Sequence, residues 1–364
     1  MNAARLLLQE KIPGNLLFTK EAKEKTQPYK GMVIKELPPV RKCTAIDHQL
    51  PNAHILSNGN YSVLITDQGT GYSKIKLTTV SRWRPDAVLN PFGMFFYVHN
   101  TATDALWSAT YAPLNQAPAG YEVTFTSDKA VFKRTDGHVE TKTEVMVASG
   151  DNVEIRRLTL KNTGTEPSVL DVTSYFEVVL ASQASDLNHP AFGNLFIETS
   201  FDKQRHAIIA NRRPRSETDK CLWVANAAVL TGEVIGDVQF ETDRMQWIGR
   251  GHTLKAPAAL ERCRPLSGTV GAVLDPVMSL RVKVRIDPGK KAELSFVVAV
   301  SENRELLLAL VDQYHTPERI EKSFDLALTR SQVEAGYLNL KAAEMELYQN
   351  MFRISDRIAY ITRE

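Results

Sequence analysis

From Leu56 onward, short runs of β-branched and aromatic residues alternate with clusters of turn formers, at the spacing of an all-β sandwich. Residues 61–66 and 72–78 flank the turn cluster DQGTG, and 94–99 and 106–110 flank NTATD. Further runs follow at 121–126, 129–134, 138–147, 153–161, 169–180, 194–199, 206–211, 222–227, 237–242, 279–286 and 292–300. Ser127-Asp128, Asp136-Gly137 and Pro288-Gly289 read as tight turns, because Asp and Gly tolerate the backbone that hairpins need and Pro presets φ. These runs predict antiparallel strands joined by short connections.

The period then changes. Over 303–314, Leu306, Leu307, Leu310 and Val311 recur at helical spacing, and Thr316-Pro317-Glu318 supplies a cap, a fixed φ and an acid for a second helix. Residues 323–352 are rich in Ala, Leu and Glu and extend the helical region. The apolar stripe of these helices must bury itself against something, and self-association is one way to do so. Ahead of the strands, residues 5–42 show neither period and read as a surface arm. The chain therefore divides into an arm over 1–55, a β-sandwich over 56–301 and a helical linker over 302–364.

With 364 residues and 43% hydrophobic content, the chain can bury a large core. Its 44 Lys plus Arg against 42 Asp plus Glu provide no field to hold a polyanion or a lipid surface, which argues against nucleic acid and direct membrane contact. Cys43, Cys221 and Cys263 are distant and odd in number, as expected of reduced thiols in a cytoplasmic setting. No Cys or His spacing points to a metal, and no window has the length of a membrane span.

Ordered strings carry a resemblance. LSNGNY at 56–61, SRWRPD at 81–86, WSATYAP at 107–113, SYFEVVL at 174–180, DLNHPAF at 186–192, RRPRS at 212–216, TDRMQWIGRG at 242–251 and VGAVLDPVMSLR at 270–281 follow the order of family-94 glycoside phosphorylases, formerly glycosyltransferase family 36. LLLQEKIP at 6–13 adds similarity to the cyclic β-1,2-glucan synthases of that family. The resemblance implies a galactose-mutarotase-like supersandwich, a carbohydrate-associated domain placed before an α/α barrel. The family's general acid, an Asp, belongs to that barrel and corresponds to no residue here. No cofactor is implied, and inorganic phosphate would be a cosubstrate of the parent enzyme. The parent is expected at an inner membrane through segments outside this sequence.

Three functions follow as expectations: a carbohydrate-binding or scaffold domain for a β-glucan or glucooligosaccharide; an active transferase or phosphorylase assembled with a separate barrel chain; or a structural homodimerisation domain. DLNHPAF joins donors and acceptors to an aromatic face on what reads as a loop stiffened by Pro190, so Asp186, Asn188, His189 and Phe192 are candidate sugar contacts; the alternative is a rigid corner. Trp107 and Tyr111 are candidate stacking faces, whereas Trp83, Trp223 and Trp247 read as core. Arg212, Arg213 and Arg215 could bind an anion or form a salt-bridged loop. Asp243 reads as paired with its neighbour Arg244, and Asp275 as a turn residue before Pro276.

Overall fold

The computed structural model describes residues 40–44, 51–86, 88–214, 221–262, 264–341, 343–345 and 347–348. Most of the arm, Arg215, Cys263 and the chain after Tyr348 lie outside the described residues. Nineteen strands are described: β1 (Arg41–Cys43), β2 (Ala53–Ser57), β3 (Tyr61–Thr66), β4 (Gly71–Ile75), β5 (Thr78–Ser81), β6 (Phe95–Asn100), β7 (Leu106–Ser108), β8 (Gly120–Phe125), β9 (Lys129–Asp136), β10 (Val139–Val147), β11 (Val153–Asn162), β12 (Ser168–Ser182), β13 (Ile197–Asp202), β14 (Ala207–Arg212), β15 (Leu222–Thr231), β16 (Glu233–Val234), β17 (Gln239–Asp243), β18 (Pro276–Ile286) and β19 (Lys291–Ser301). The helices are α1 (Gln183–Asn188), α2 (Pro190–Asn194), α3 (Arg244–Ile248), α4 (Arg304–Gln313) and α5 (Pro317–Tyr337).

Two antiparallel sheets face each other. The first has nine strands in the order β1-β8-β9-β10-β11-β19-β15-β14-β13; the second has ten and centres on β12, which pairs with β18, β5 and β6. Alternation along each strand decides what faces the interior. In β11, Leu158 and Leu160 point between the sheets, while Val153 and Ile155 point to the outer face of the first sheet. In β12, Leu170, Val172 and Phe176 point inward and Tyr175 outward. Both faces of each sheet are partly covered, which is why β11, β12 and β19 read as nearly continuous apolar runs instead of alternating ones.

Helices α4 and α5 cover the outer face of the nine-stranded sheet. Leu307, Val311, Ile320, Phe324 and Ala327 are buried against Ile155, Ile209, Ala227 and Val297, so this apolar stripe has a partner within the chain. Both predicted starts form: Asn303 Oδ1 accepts from the Glu305 and Leu306 amides, and Thr316 caps α5 with Pro317 in its first turn. Arg157 lies over the Phe324 ring at 4.2 Å and bonds Glu144 at 2.8 Å and Glu321.

The fold departs from expectation at three places. The run 72–78 is not one strand: the chain turns at Lys76, with φ of 51°, and β5 begins at Thr78. Strand pairing imposes this turn where no Gly, Pro or Asn marks it. β1 and β2 begin before Leu56, so residues 41–43 add an edge strand to the first sheet and 53–57 an edge to the second. The DLNHPAF segment forms α1 and α2 instead of a loop, with Ser182 capping α1 and Pro190 in the first turn of α2.

Candidate active cleft on the outer face of the ten-stranded sheet

Long connections cover the outer face of the second sheet and leave a cleft of about 1050 Å³. Its floor is the outward side of β2 and β3, at Ala53, Leu64 and Thr66. Trp83, Asp86 and residues 88–91 form one wall, 111–115 a second and 244–255 a third. Each wall has an identifiable anchor.

The wall at 244–255 follows α3, whose Trp247 is fully buried. Its ring lies 4.2 Å from Tyr175 and 5.4 Å from Tyr97, and its Nε1–H donates to Ser279 Oγ at 2.7 Å. Asp243 caps α3 by accepting from the Met245 amide at 2.8 Å, and Arg244 does not pair with it. Arg244 instead reaches Glu177 on β12, at 2.7 Å. Gly249 then turns with φ of 87°, where a β-carbon would press on Ala258.

The wall that holds Trp83 begins from a buried ionic network. Arg82 bonds Glu177 at 2.7 Å, Asp186 at 3.1 Å and Asn194 Oδ1 at 2.7 Å, and the Asn194 amide donates on to Asp275 at 2.7 Å. Burial opposes charge on Glu177, but Arg82 and Arg244 together hold its carboxyl below the usual carboxylate range. Burial likewise opposes the Arg82 charge, and Glu177 and Asp186 keep it protonated. Beyond Arg82, Trp83 enters the cleft lining, 5.5 Å from the Tyr72 ring, and Asp86 accepts from the Val88 and Leu89 amides. Val88 and Leu89 are left 90% and 70% exposed on the rim.

The wall at 111–115 holds Tyr111. Tyr121 fixes it by accepting from the Tyr111 amide at 3.2 Å and donating to Asp67 O at 2.7 Å. The cleft thus offers two aromatic side chains, Trp83 and Tyr111, the amides of Gln68 and Asn115, and the cations Arg250 and Lys255. Such a set can stack on an apolar sugar face and exchange hydrogen bonds with hydroxyls. Among the described residues, no group of three or more His, Cys, Asp or Glu side chains could hold a metal.

The sequence candidates separate in space. Tyr111 lines the cleft, but Trp107 is 4% exposed and belongs to the core between the sheets, because it stands opposite Val98 on the inward side of β7; it offers no surface for stacking. Asp186 is buried in the Arg82 network. Asn188 and His189 are exposed, and His189, Phe192 and Arg212 line a separate hollow of about 310 Å³. Arg212 donates to Gly193 O and lies over Phe196, while Arg213 pairs with Glu198 at 3.4 Å and donates to Leu195 O. Trp83, which reads as core, lines the cleft instead. Its neighbours Ser81, Arg82 and Asp86 in the SRWRPD string were the available signal.

Comparison with known proteins bears on the same region. Residues 38–317 match the family described as Glycosyl hydrolase 94, supersandwich domain. The chain belongs to this family. The match spans both sheets and all three cleft walls. The chain is 36% identical over 97% of its length to cyclic beta-(1,2)-glucan synthase NdvB of Rhizobium meliloti, and covers 12% of that protein. It is 22% identical over 58% of its length to the 3-O-beta-D-glucopyranosyl-beta-D-glucuronide phosphorylase of Paenibacillus borealis, covering 26% of it. Among solved structures, a bacterial glucoamylase complexed with acarbose matches with a TM-score of 0.46 at 9% identity, over 81% of this chain and 39% of that one. The supersandwich thus corresponds to a small part of its curated relatives. Among the described residues, no helix is long and apolar enough to cross a membrane.

Proposed function

We propose that this supersandwich is a carbohydrate-binding and scaffolding domain of a larger protein of the cyclic β-1,2-glucan synthase or glycoside phosphorylase type, and that it is not catalytic by itself. Its ligand on this reading is a β-glucan or glucooligosaccharide held in the outer cleft. The observation that carries the reading is the cleft itself, which gathers Trp83 and Tyr111 with amides and cations above the outward side of β2 and β3. Family membership supports a carbohydrate ligand, and similarity to the cyclic beta-(1,2)-glucan synthase of Rhizobium meliloti supports a β-1,2 linkage. The His189 and Phe192 hollow is the alternative place for a sugar contact.

Calorimetric titration with linear β-1,2-glucooligosaccharides, with cellooligosaccharides as the linkage control, tests this proposal. Selective binding that falls about tenfold in Trp83→Ala and Tyr111→Ala, with His189→Ala unchanged, is the expected result. Loss in His189→Ala alone moves the site to the hollow. Absence of binding to any glucan leaves a scaffold, a second reading favoured by the exposed Val88, Leu89 and Met245 at the cleft rim.

A further inference from the structure

The cleft wall after α3 has a feature that a neutral glucan does not require. Gly249-Arg250-Gly251-His252 turns through two glycines with φ of 87° and 83°, and Arg250, His252 and Lys255 all line the cleft. Among the described residues, neither the Arg250 guanidinium nor the Lys255 ammonium has a hydrogen-bond or ion-pair partner. His252 engages Ala256 O through Nδ1 at 2.9 Å, which leaves Nε2 for another group. The carboxylates that share the lining are already engaged: Asp86 accepts the Val88 and Leu89 amides, and Asp275 accepts the Asn194 amide. The third cation of the wall, Arg244, is ion-paired with Glu177.

Elsewhere in this chain, many arginines near a carboxylate pair with it: Arg82, Arg134, Arg156, Arg157, Arg205 and Arg330 all do. Two unpartnered cations in the same concavity as Trp83 and Tyr111 therefore suit a ligand that brings its own negative charge. Guanidinium and ammonium groups both donate to carboxylate or phosphate oxygens, and the partly enclosed cleft weakens solvent screening compared with an open surface.

We propose that the outer cleft selects an anionic saccharide: a sugar chain carrying a carboxylate or phosphate group, with the sugar against Trp83 and Tyr111 and the anion on Arg250 and Lys255. The inference rests on the cleft being a sugar site and adds the class of ligand.

The experiment titrates the full chain with three probes: linear β-1,2-glucotetraose, the same tetraose with its reducing end oxidised to a carboxylate, and the tetraose bearing one terminal 6-phosphate. Each is run at about 20 mM and about 500 mM salt, on the wild type and on the Arg250→Gln/Lys255→Gln variant. The expected result is that at least one anionic probe binds about tenfold tighter than the neutral tetraose at low salt, and that high salt and the double variant both abolish the difference. The arm that shows the preference identifies carboxylate or phosphate as the recognised group. Equal binding of all three probes overturns this inference and leaves the sugar site standing, as does a preference that survives in the double variant. Failure of all three to bind overturns the sugar site and this inference together. Thermal unfolding of the double variant at the wild-type temperature confirms that the exposed substitutions leave the fold intact.

Discussion

The two outer faces of the sandwich are closed in opposite ways. The nine-stranded sheet is sealed by α4 and α5 through Leu307, Val311, Ile320 and Phe324, side chains whose role ends with packing. The ten-stranded sheet is covered by connections that rest on an aromatic cluster around Trp247 and on the Arg82–Glu177–Arg244 network, and a large cleft remains between them. Helices fill a surface because an apolar stripe follows the sheet continuously, whereas connections anchored at a few points leave room. One face thus serves stability, and the other combines stability with an open cleft, the proposed place for a ligand.

The largest test of this contrast is Arg82→Ala. It leaves buried Glu177 with Arg244 alone and buried Asp186 with only the longer Arg84 contact of 3.5 Å, and should destabilise the chain by about 3–5 kcal/mol. Denaturant unfolding measures the loss, and a change below about 1 kcal/mol would show that the loops of the cleft face stand without the network. Phe324→Ala on the sealed face should cost about 3 kcal/mol, from lost burial and the vacated position under Arg157. Its glucan affinity should match the wild type; a change in affinity would mean that the two faces are coupled.

A smaller effect comes from the seam between the sheets. His54 on β2 stacks on Phe125 of β8 at 4.8 Å, and its Nε2 lies 2.9 Å from Thr126 O. Burial, reinforced by Arg41, lowers its pKa from 6.5 to about 3 against the opposing bond to Thr126. The sign follows directly: below pH 6.5 the unfolded chain gains a proton that the folded chain does not, so stability falls as pH drops from 6.5 toward 3. Between pH 7 and pH 5 the loss from this group is about 2 kcal/mol. His315, lowered by burial and by His206, acts in the same direction. Carboxyls such as Glu177 contribute to acid loss only below their ordinary value of 4.5. His54→Phe should flatten most of the pH 7 to 5 slope in denaturant titrations, and an unchanged slope would assign it to other groups.

Much of the fold was legible in the sequence because strand period and turn chemistry are local. The run at 61–66 is β3 and the one at 153–161 is nearly all of β11; after Ser301 the first helix was visible in its apolar spacing and the second in its Thr316 cap. The SRWRPD, WSATYAP and TDRMQWIGRG strings marked the family, and they are also the segments that build the cleft walls. The exceptions share one cause. Lys76 turns because β4 and β5 must pair, and Ser182 and Pro190 start helices that a loop-like composition conceals.

What the sequence alone determined is most of the strands, the helical ending and the family. What only the tertiary structure decided is partnership and exposure. Arg244 passes over the adjacent Asp243 to reach Glu177, Trp107 turns into the core while Trp83 turns to the cleft, and Asp186 joins Arg82 across 104 positions of chain. Local periodicity sets which side of a strand a residue occupies, but sheet order and the paths of the covering connections set what lies on that side. Those depend on contacts between segments far apart in the chain, which no local pattern encodes.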